Sequence, residues 1–160
     1  MGTNRQPGYQ WFGLLQLYTV DLRRHHRLLP FRQWHKDQLR LFIGPGIAGS
    51  HLAAYQKAGF HVAALCSRSA ETACARQKEF FPEAEVFTDY AALLQRDDIE
   101  VLDLVPHPEH RAPLIEQALR AGKHVLSQKP FVVDLDLGRR VCDLAEGRGV
   151  RLGQRLGQLA

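Results

Sequence analysis

The chain has 160 residues, 45% apolar and 24% charged, which suits one ordinary globular domain with a real core, and a second domain is not expected to fit. Its net charge of +4 is unevenly placed. Residues 1–40 carry seven Lys/Arg against two Asp/Glu, so the remainder is slightly acidic, which argues against a nucleic-acid-binding surface.

Three cysteines, Cys66, Cys74 and Cys142, lack C-x-x-C spacing. A sparse, odd set favours reduced thiols in a cytoplasmic protein over a disulfide framework or a zinc site. The eight histidines form no H-E-x-x-H pattern, so no metal centre is expected.

Residues 1–37 read as an N-terminal extension, loosely ordered or helical. Trp11, Leu14, Leu15, Tyr18 and Leu22 recur at helical spacing, the run Arg23 to Arg27 is basic, and Pro30 is a stop. The apolar run Trp11 to Val20 is too short to span a bilayer, and no small-residue cleavage site follows it. An organellar transit segment is the alternative, against which stand few serines and Asp21.

From Gln38 to the end the pattern alternates strand and helix. A strand is predicted over Leu39–Ile43, and it runs into Gly44-x-Gly46-x-x-Gly49 at the start of a helix over Ile47–Lys57. In a dinucleotide-binding turn Gly44 allows the tight bend, Gly46 lets the backbone approach a pyrophosphate, and Gly49 lets the helix pack closely on the strand. The helix N-terminus, here Ile47, Ala48 and Gly49, offers N–H groups and partial positive charge to phosphate. Pro45 removes one such N–H.

A strand follows over His61–Cys66, then a helix capped by Ser69 and ended by Pro82. Glu85–Phe87 reads as a short strand, Tyr90–Gln95 as a short helix, and Val101–Val105 as a buried parallel strand with one odd residue, Asp103. A helix from about Arg111, with Pro113 in its first turn, stops at Gly122. The strand His124–Ser127, a helix Leu135–Glu146 stopped by Gly147, and a strand near Val150–Leu152 complete the pattern. Strands alternating with helices at this rhythm predict a doubly wound parallel sheet covered on both faces, the α/β class.

Ligands on such a sheet lie outside the carboxyl ends of the strands, at the switch point. After the second strand come Ser67-Arg68-Ser69, where a ribose-binding carboxylate would otherwise stand. With no negative charge to repel a 2′-phosphate, and with Ser67 and Arg68 to bind it, NADP(H) is expected in preference to NAD(H), with NAD as the alternative.

Gly122-Lys-His-Val-Leu-Ser-Gln-Lys-Pro130 resembles the A-G-K-H-V-x-x-E-K-P signature of the Gfo/Idh/MocA oxidoreductases. Asp89-Tyr90 with Leu93-Leu94, then Asp97-Asp98-Ile99-Glu100-Val101, is similar to that family's approach to its fourth strand, and the likeness runs from about Gln38 to Gly153. The resemblance implies a Rossmann fold and hydride transfer at C4 of a nicotinamide, acting on a sugar, inositol or related polyol. It implies cofactor contacts at Gly44, Gly46, Ile47, Ala48, Gly49, Ser67, Arg68, Val105, Pro106, His107, Gln128 and Lys129. The signature lysine falls on Lys129, beside the nicotinamide and the substrate hydroxyl, where an ammonium can donate to a developing oxyanion or assist proton transfer. The peptide bond before the signature proline is often cis in the family, which marks Lys129-Pro130.

Three departures stand out. Gln128 replaces the usual Glu. An ungapped alignment puts His107 in the nicotinamide-facing proline position and Arg111 in place of a histidine, whereas one insertion restores Pro106 and His110 to those places. Arg111 then points either to an acidic substrate or to solvent. The family also carries a C-terminal α/β domain that forms much of the substrate pocket and commonly the oligomer, and the sequence is expected to lack it. Two readings remain: the cofactor-binding half of an oxidoreductase whose chain is truncated or is completed by a partner bearing the missing domain, with a homo-oligomer or partner chain as the assembly the resemblance implies, or a non-catalytic nucleotide-binding module or remnant. In either case apolar residues on the last helix and strand are expected to be exposed.

Overall fold

The computed structural model describes residues 17–19, 29–30, 40–43 and 48–155, with side chains from Gly49 to Gln154. Among these residues the chain order is β1 (Leu17–Thr19), β2 (Leu29–Pro30), β3 (Arg40–Ile43), α1 (Ala48–Ala58), β4 (His61–Cys66), α2 (Ala70–Phe80), β5 (Glu85–Phe87), α3 (Tyr90–Leu94), β6 (Val101–Leu104), α4 (Pro108–Arg120), β7 (His124–Ser127), α5 (Leu135–Arg148) and β8 (Leu152–Arg155).

The strands form one sheet in the order β2-β1-β8-β7-β6-β3-β4-β5. From β8 to β5 every pairing is parallel. The sheet grows outward in both directions from the β3–β6 pair, so this is a Rossmann sheet with its switch point between those two strands.

Strand β4 is apolar and buried from Val62 to Cys66, as a central parallel strand covered on both faces must be. Period-two alternation then divides β6. Leu102 and Leu104 face one core with Leu93, Ile115, Leu119 and Val141, and Val101 faces the other with Leu52, Tyr55, Leu65 and Leu126. Asp103 shares the face of Val101, toward α1.

Side-chain caps start the helices. Ser69 Oγ accepts the Thr72 N–H at 3.2 Å, Asp89 Oδ1 accepts that of Ala91 at 2.9 Å, and Asp134 Oδ1 accepts those of Asp136 and Leu137.

Several boundaries differ from expectation. Helix α4 begins at Pro108 rather than near Arg111, because proline suits the first helical position, and Pro113 consequently lies inside the helix. Helix α5 passes through Gly147 and ends at Gly149, which adopts the left-handed conformation at φ 67°. The last strand starts at Leu152, two residues late. Leu17–Thr19 is a strand, where helical spacing had suggested a helix; it pairs antiparallel with β8 and supplies partners to a sheet edge. The rest of the expected segment from Trp11 to Leu22 lies outside the described residues. Val133 and Leu135, before and at the start of the last helix, are exposed apolar residues, while Leu152 on the last strand is buried.

Candidate functional site

A cleft of about 800 Å³ opens at the carboxyl edge of the sheet, lined by the ends of β4, β5, β6 and β7 and the start of α4. Ser67 and Arg68 stand at one end of its lining, Val105, Pro106 and His107 follow β6, and Gln128, Lys129 and Pro130 follow β7. Sequence-predicted residues from three separate loops are thus brought to one cavity. Gly44, Pro45, Gly46 and Ile47 lie outside the described residues, while Ala48 and Gly49 open α1.

Among the described residues, the atoms nearest a Cβ built on Gly49 are those of the Arg76 guanidinium of α2, at 3.7 Å, an ordinary contact.

The loop after β4 is held by main-chain bonds. Ser67 N–H donates to Phe87 O at 3.0 Å, and Ser67 Oγ accepts the Ser69 N–H at 3.2 Å, which leaves its hydroxyl proton to donate. Arg68 is exposed. Cys66 and Tyr90 lie in the same lining but offer no acid–base chemistry at neutral pH. Burial, followed by the charge of Asp89, pushes the Cys66 thiol up to about 11. Burial, followed by Cys66, also raises Tyr90, whose hydroxyl donates to Leu114 O at 3.0 Å.

Beneath the β7 end lies a buried polar network that the sequence reading did not assemble. His51 and Tyr55 occupy one face of α1 at i and i+4, and both reach Asp103 Oδ2, at 3.0 Å from His51 Nδ1 and 2.9 Å from the Tyr55 oxygen. His51 Nε2 faces Gln128 Nε2 at 3.3 Å, and Gln128 Oε1 accepts the Lys129 N–H at 2.9 Å. The signal for it was present: an acidic residue in an otherwise apolar strand needs buried donors.

Arg111 lines the cleft but does not face solvent. It is 2% exposed, and its guanidinium donates to the carbonyls of Pro106, Gln128 and Pro130. One side chain thereby ties the loop after β6 to the loop after β7. Burial lowers its pKa, opposed by the charge of Asp103, yet a guanidinium stays protonated. His107 and His110 are exposed on the cleft rim, with ring centroids 6.5 Å apart. The Lys129-Pro130 peptide bond is cis, as the signature implied. Lys129 is exposed at the rim.

Among the described residues no group of three or more His, Cys, Asp or Glu could hold a metal ion. No helix among them is long and apolar enough to cross a membrane.

Known proteins are similar to this chain in sequence and fold. A dTDP-3,4-didehydro-2,6-dideoxy-alpha-D-glucose 3-reductase of Streptomyces violaceoruber is 40% identical over 91 residues, 57% of this chain and 26% of that protein. An inositol 2-dehydrogenase of Salmonella typhimurium is 32% identical over 70% of this chain and 34% of its own length. Among solved structures, the 3-ketoreductase KijD10 of Actinomadura kijaniata in complex with NADP and TDP-benzene superposes with a TM-score of 0.67, at 32% identity, over 72% of this chain and 36% of that one. The WlbA dehydrogenase of Thermus thermophilus in complex with NAD and UDP-GlcNAcA gives 0.65, at 28% identity, over 72% and 41%. The chain thus spans about a third or less of the curated relatives it matches. The family model described as an oxidoreductase family with an NAD-binding Rossmann fold matches residues 40–155, and the chain belongs to that family, the Gfo/Idh/MocA oxidoreductases.

Proposed function

We propose that this chain binds a nicotinamide dinucleotide in the cleft, NADP(H) in preference to NAD(H), and serves an oxidoreductase that interconverts a hydroxyl and a carbonyl on a sugar-like or polyol substrate. The observation that carries the reading is the cleft itself. It has a serine and an arginine at one end of its lining, Gln128 and Lys129 at another, and apolar Val105 and Pro106 between them.

The residues suit such a cofactor. Ser67 and Arg68 offer a hydroxyl and a planar cation to a 2′-phosphate, and the loop from Cys66 to Ser69 holds no carboxylate to oppose it. We assign the pyrophosphate to the N-terminus of helix α1, with Gly44, Gly46, Ile47, Ala48 and Gly49 as the residues that would hold it. His107 sits on the nicotinamide side with Gln128. When bound, the nicotinamide supplies or accepts hydride at C4. Lys129 then donates a hydrogen bond to the substrate oxygen as negative charge gathers there.

Lys129 stands exposed on one rim, and a single wall cannot hold a substrate within about 3–3.5 Å of the reacting carbon. We therefore assign the opposite wall to a further domain or to a second chain, whether another copy or a partner. The thiols of Cys66 and Cys74 fit a cytoplasmic, reducing setting.

Fluorescence titration with NADPH and NADH tests the reading. NADPH is expected to bind at least about tenfold more tightly, and Arg68→Asp to erase most of that difference while sparing NADH, since a charge-assisted bond to phosphate contributes about 1.5–3 kcal/mol. Tighter NADH binding would refute the preference, and no binding of either would refute the function.

A further inference from the structure

In the network beneath Lys129 the donors all run one way. The Lys129 main-chain N–H donates to Gln128 Oε1 at 2.9 Å. A backbone N–H can only donate, so this bond fixes which end of the amide is oxygen. The amide nitrogen is then the atom facing His51 Nε2, at 3.3 Å. An NH2 group donates too, so Nε2 must present a lone pair and the ring proton must sit on Nδ1. That is what the far side of the ring requires, because Nδ1 lies 3.0 Å from Asp103 Oδ2.

We propose that Asp103 and His51 form a positioning relay: Asp103 holds His51 as the neutral Nδ1–H tautomer, and His51 in turn orients the Gln128 amide and, through it, the main chain at Lys129. The value of such a relay for turnover rests on the reading of Lys129 given above. The hydrogen-bond logic does not.

The relay also gives a reason for glutamine where the family signature has glutamate. A carboxylate at position 128 would set a second acceptor against the Nε2 lone pair. The pair would be relieved by protonating the ring, which would then lie as an imidazolium between two carboxylates. With Gln128 the ring stays neutral and the amide has one satisfactory orientation. Among the described residues, the ionisable groups around His51 include Tyr55 on its own helix, Asp103 on β6 and, beyond Asp103, Arg111 on α4, whose charge feels that carboxylate.

Long-range 1H–15N spectra of the ligand-free protein test the proposal, with Gln128→Glu and Gln128→Leu as variants in a loop that leaves the His51–Asp103 pair in place. The His51 resonances are assigned by their loss in His51→Gln or, should that variant not fold, by their proximity to Tyr55. At neutral pH the wild type should show Nδ1 protonated and Nε2 unprotonated. Gln128→Glu should show both nitrogens protonated at the same pH. Gln128→Leu should keep the Nδ1–H tautomer but speed hydrogen exchange of the Lys129 amide about tenfold or more, whereas Gln128→Glu, which retains an acceptor, should protect it.

Protonated Nε2 in the wild type, a ring that stays neutral in Gln128→Glu, or a Lys129 amide indifferent to Gln128→Leu would overturn the relay. None of these readouts needs cofactor. A protein that shows them yet binds no NADPH would retain the relay and lose the function proposed above.

Discussion

Replacing Arg111 by methionine should damage both stability and the cleft. The guanidinium is 2% exposed and satisfies the carbonyls of Pro106, Gln128 and Pro130 from one point. A polar group left without its partner costs about 1–3 kcal/mol. Pro106 and Gln128 are half-buried and Pro130 is exposed, so water recovers part of that loss. Methionine also removes a cation whose burial is unfavourable, as the lowered pKa of Arg111 shows. The balance is a loss of about 3 kcal/mol, which for a chain of this size lowers Tm by roughly 6–12 °C. Arg111→Lys should fall between, because an ammonium is a compact donor that cannot fork across three carbonyls. Calorimetry measures the first effect. NADPH titration well below the transition measures the second, with affinity expected to fall as the loops after β6 and β7 separate. A Tm drop under about 2 °C with unchanged NADPH affinity would show that these bonds tie nothing together.

Three further predictions follow from single sites. A Cβ on Gly138 would lie 2.9 Å from Val132 Cγ2, so Gly138→Ala should lose about 1 kcal/mol in urea denaturation despite alanine's helix preference, and adding Val132→Ala should restore it. His124 Nδ1 accepts the Arg151 N–H at 2.8 Å, and burial, followed by the Arg151 charge, lowers its pKa against the pull of Glu100. The unfolded chain therefore takes up this proton first, so the contribution is intact above about pH 6.5 and is lost as pH falls below it; His124→Gln should flatten that part of the stability profile. With its thiol pushed up to about 11, Cys66 should alkylate at mildly alkaline pH at least about a hundredfold more slowly than a small thiol, as peptide mass spectrometry would show.

What could be read from the sequence depended on how local its cause was. Strands β4, β5 and β7 are short apolar runs between turn residues, and their bounds match the reading to the residue. The start of α4 was hidden because Pro106 and Pro108 resemble a loop, whereas Pro108 is a good first helical residue. Gly147 reads as the stop of α5, yet the helix continues through it and takes the left-handed conformation two residues later, at Gly149. Arg111 was harder still. An arginine at a helix start reads as solvated, and two of the three carbonyls that enclose it, those of Gln128 and Pro130, come from the next strand's loop, 17 and 19 residues further on. The strand at Leu17–Thr19 likewise depends on a partner edge more than a hundred residues away.

Asp103 shows how the site's parts depend on one another. Along the sequence it is a lone carboxylate in an apolar strand, and ionised carboxylates are too costly to bury without donors. Its donors come from α1, the helix that the glycine turn begins. They can reach it because β6 pairs with β3 at the switch point, with Ile43 in register with Asp103, so the helix that leaves β3 passes over that strand face. The same register places β7 on the other side, with Leu126 opposite Asp103, and so brings Gln128 and Lys129 beside His51. Helix α1, which follows the glycine motif, and the lysine signature, read as two separate motifs, are therefore joined through His51, which Asp103 holds. A change at Asp103 should be felt at Gln128, and through it at the main chain of Lys129.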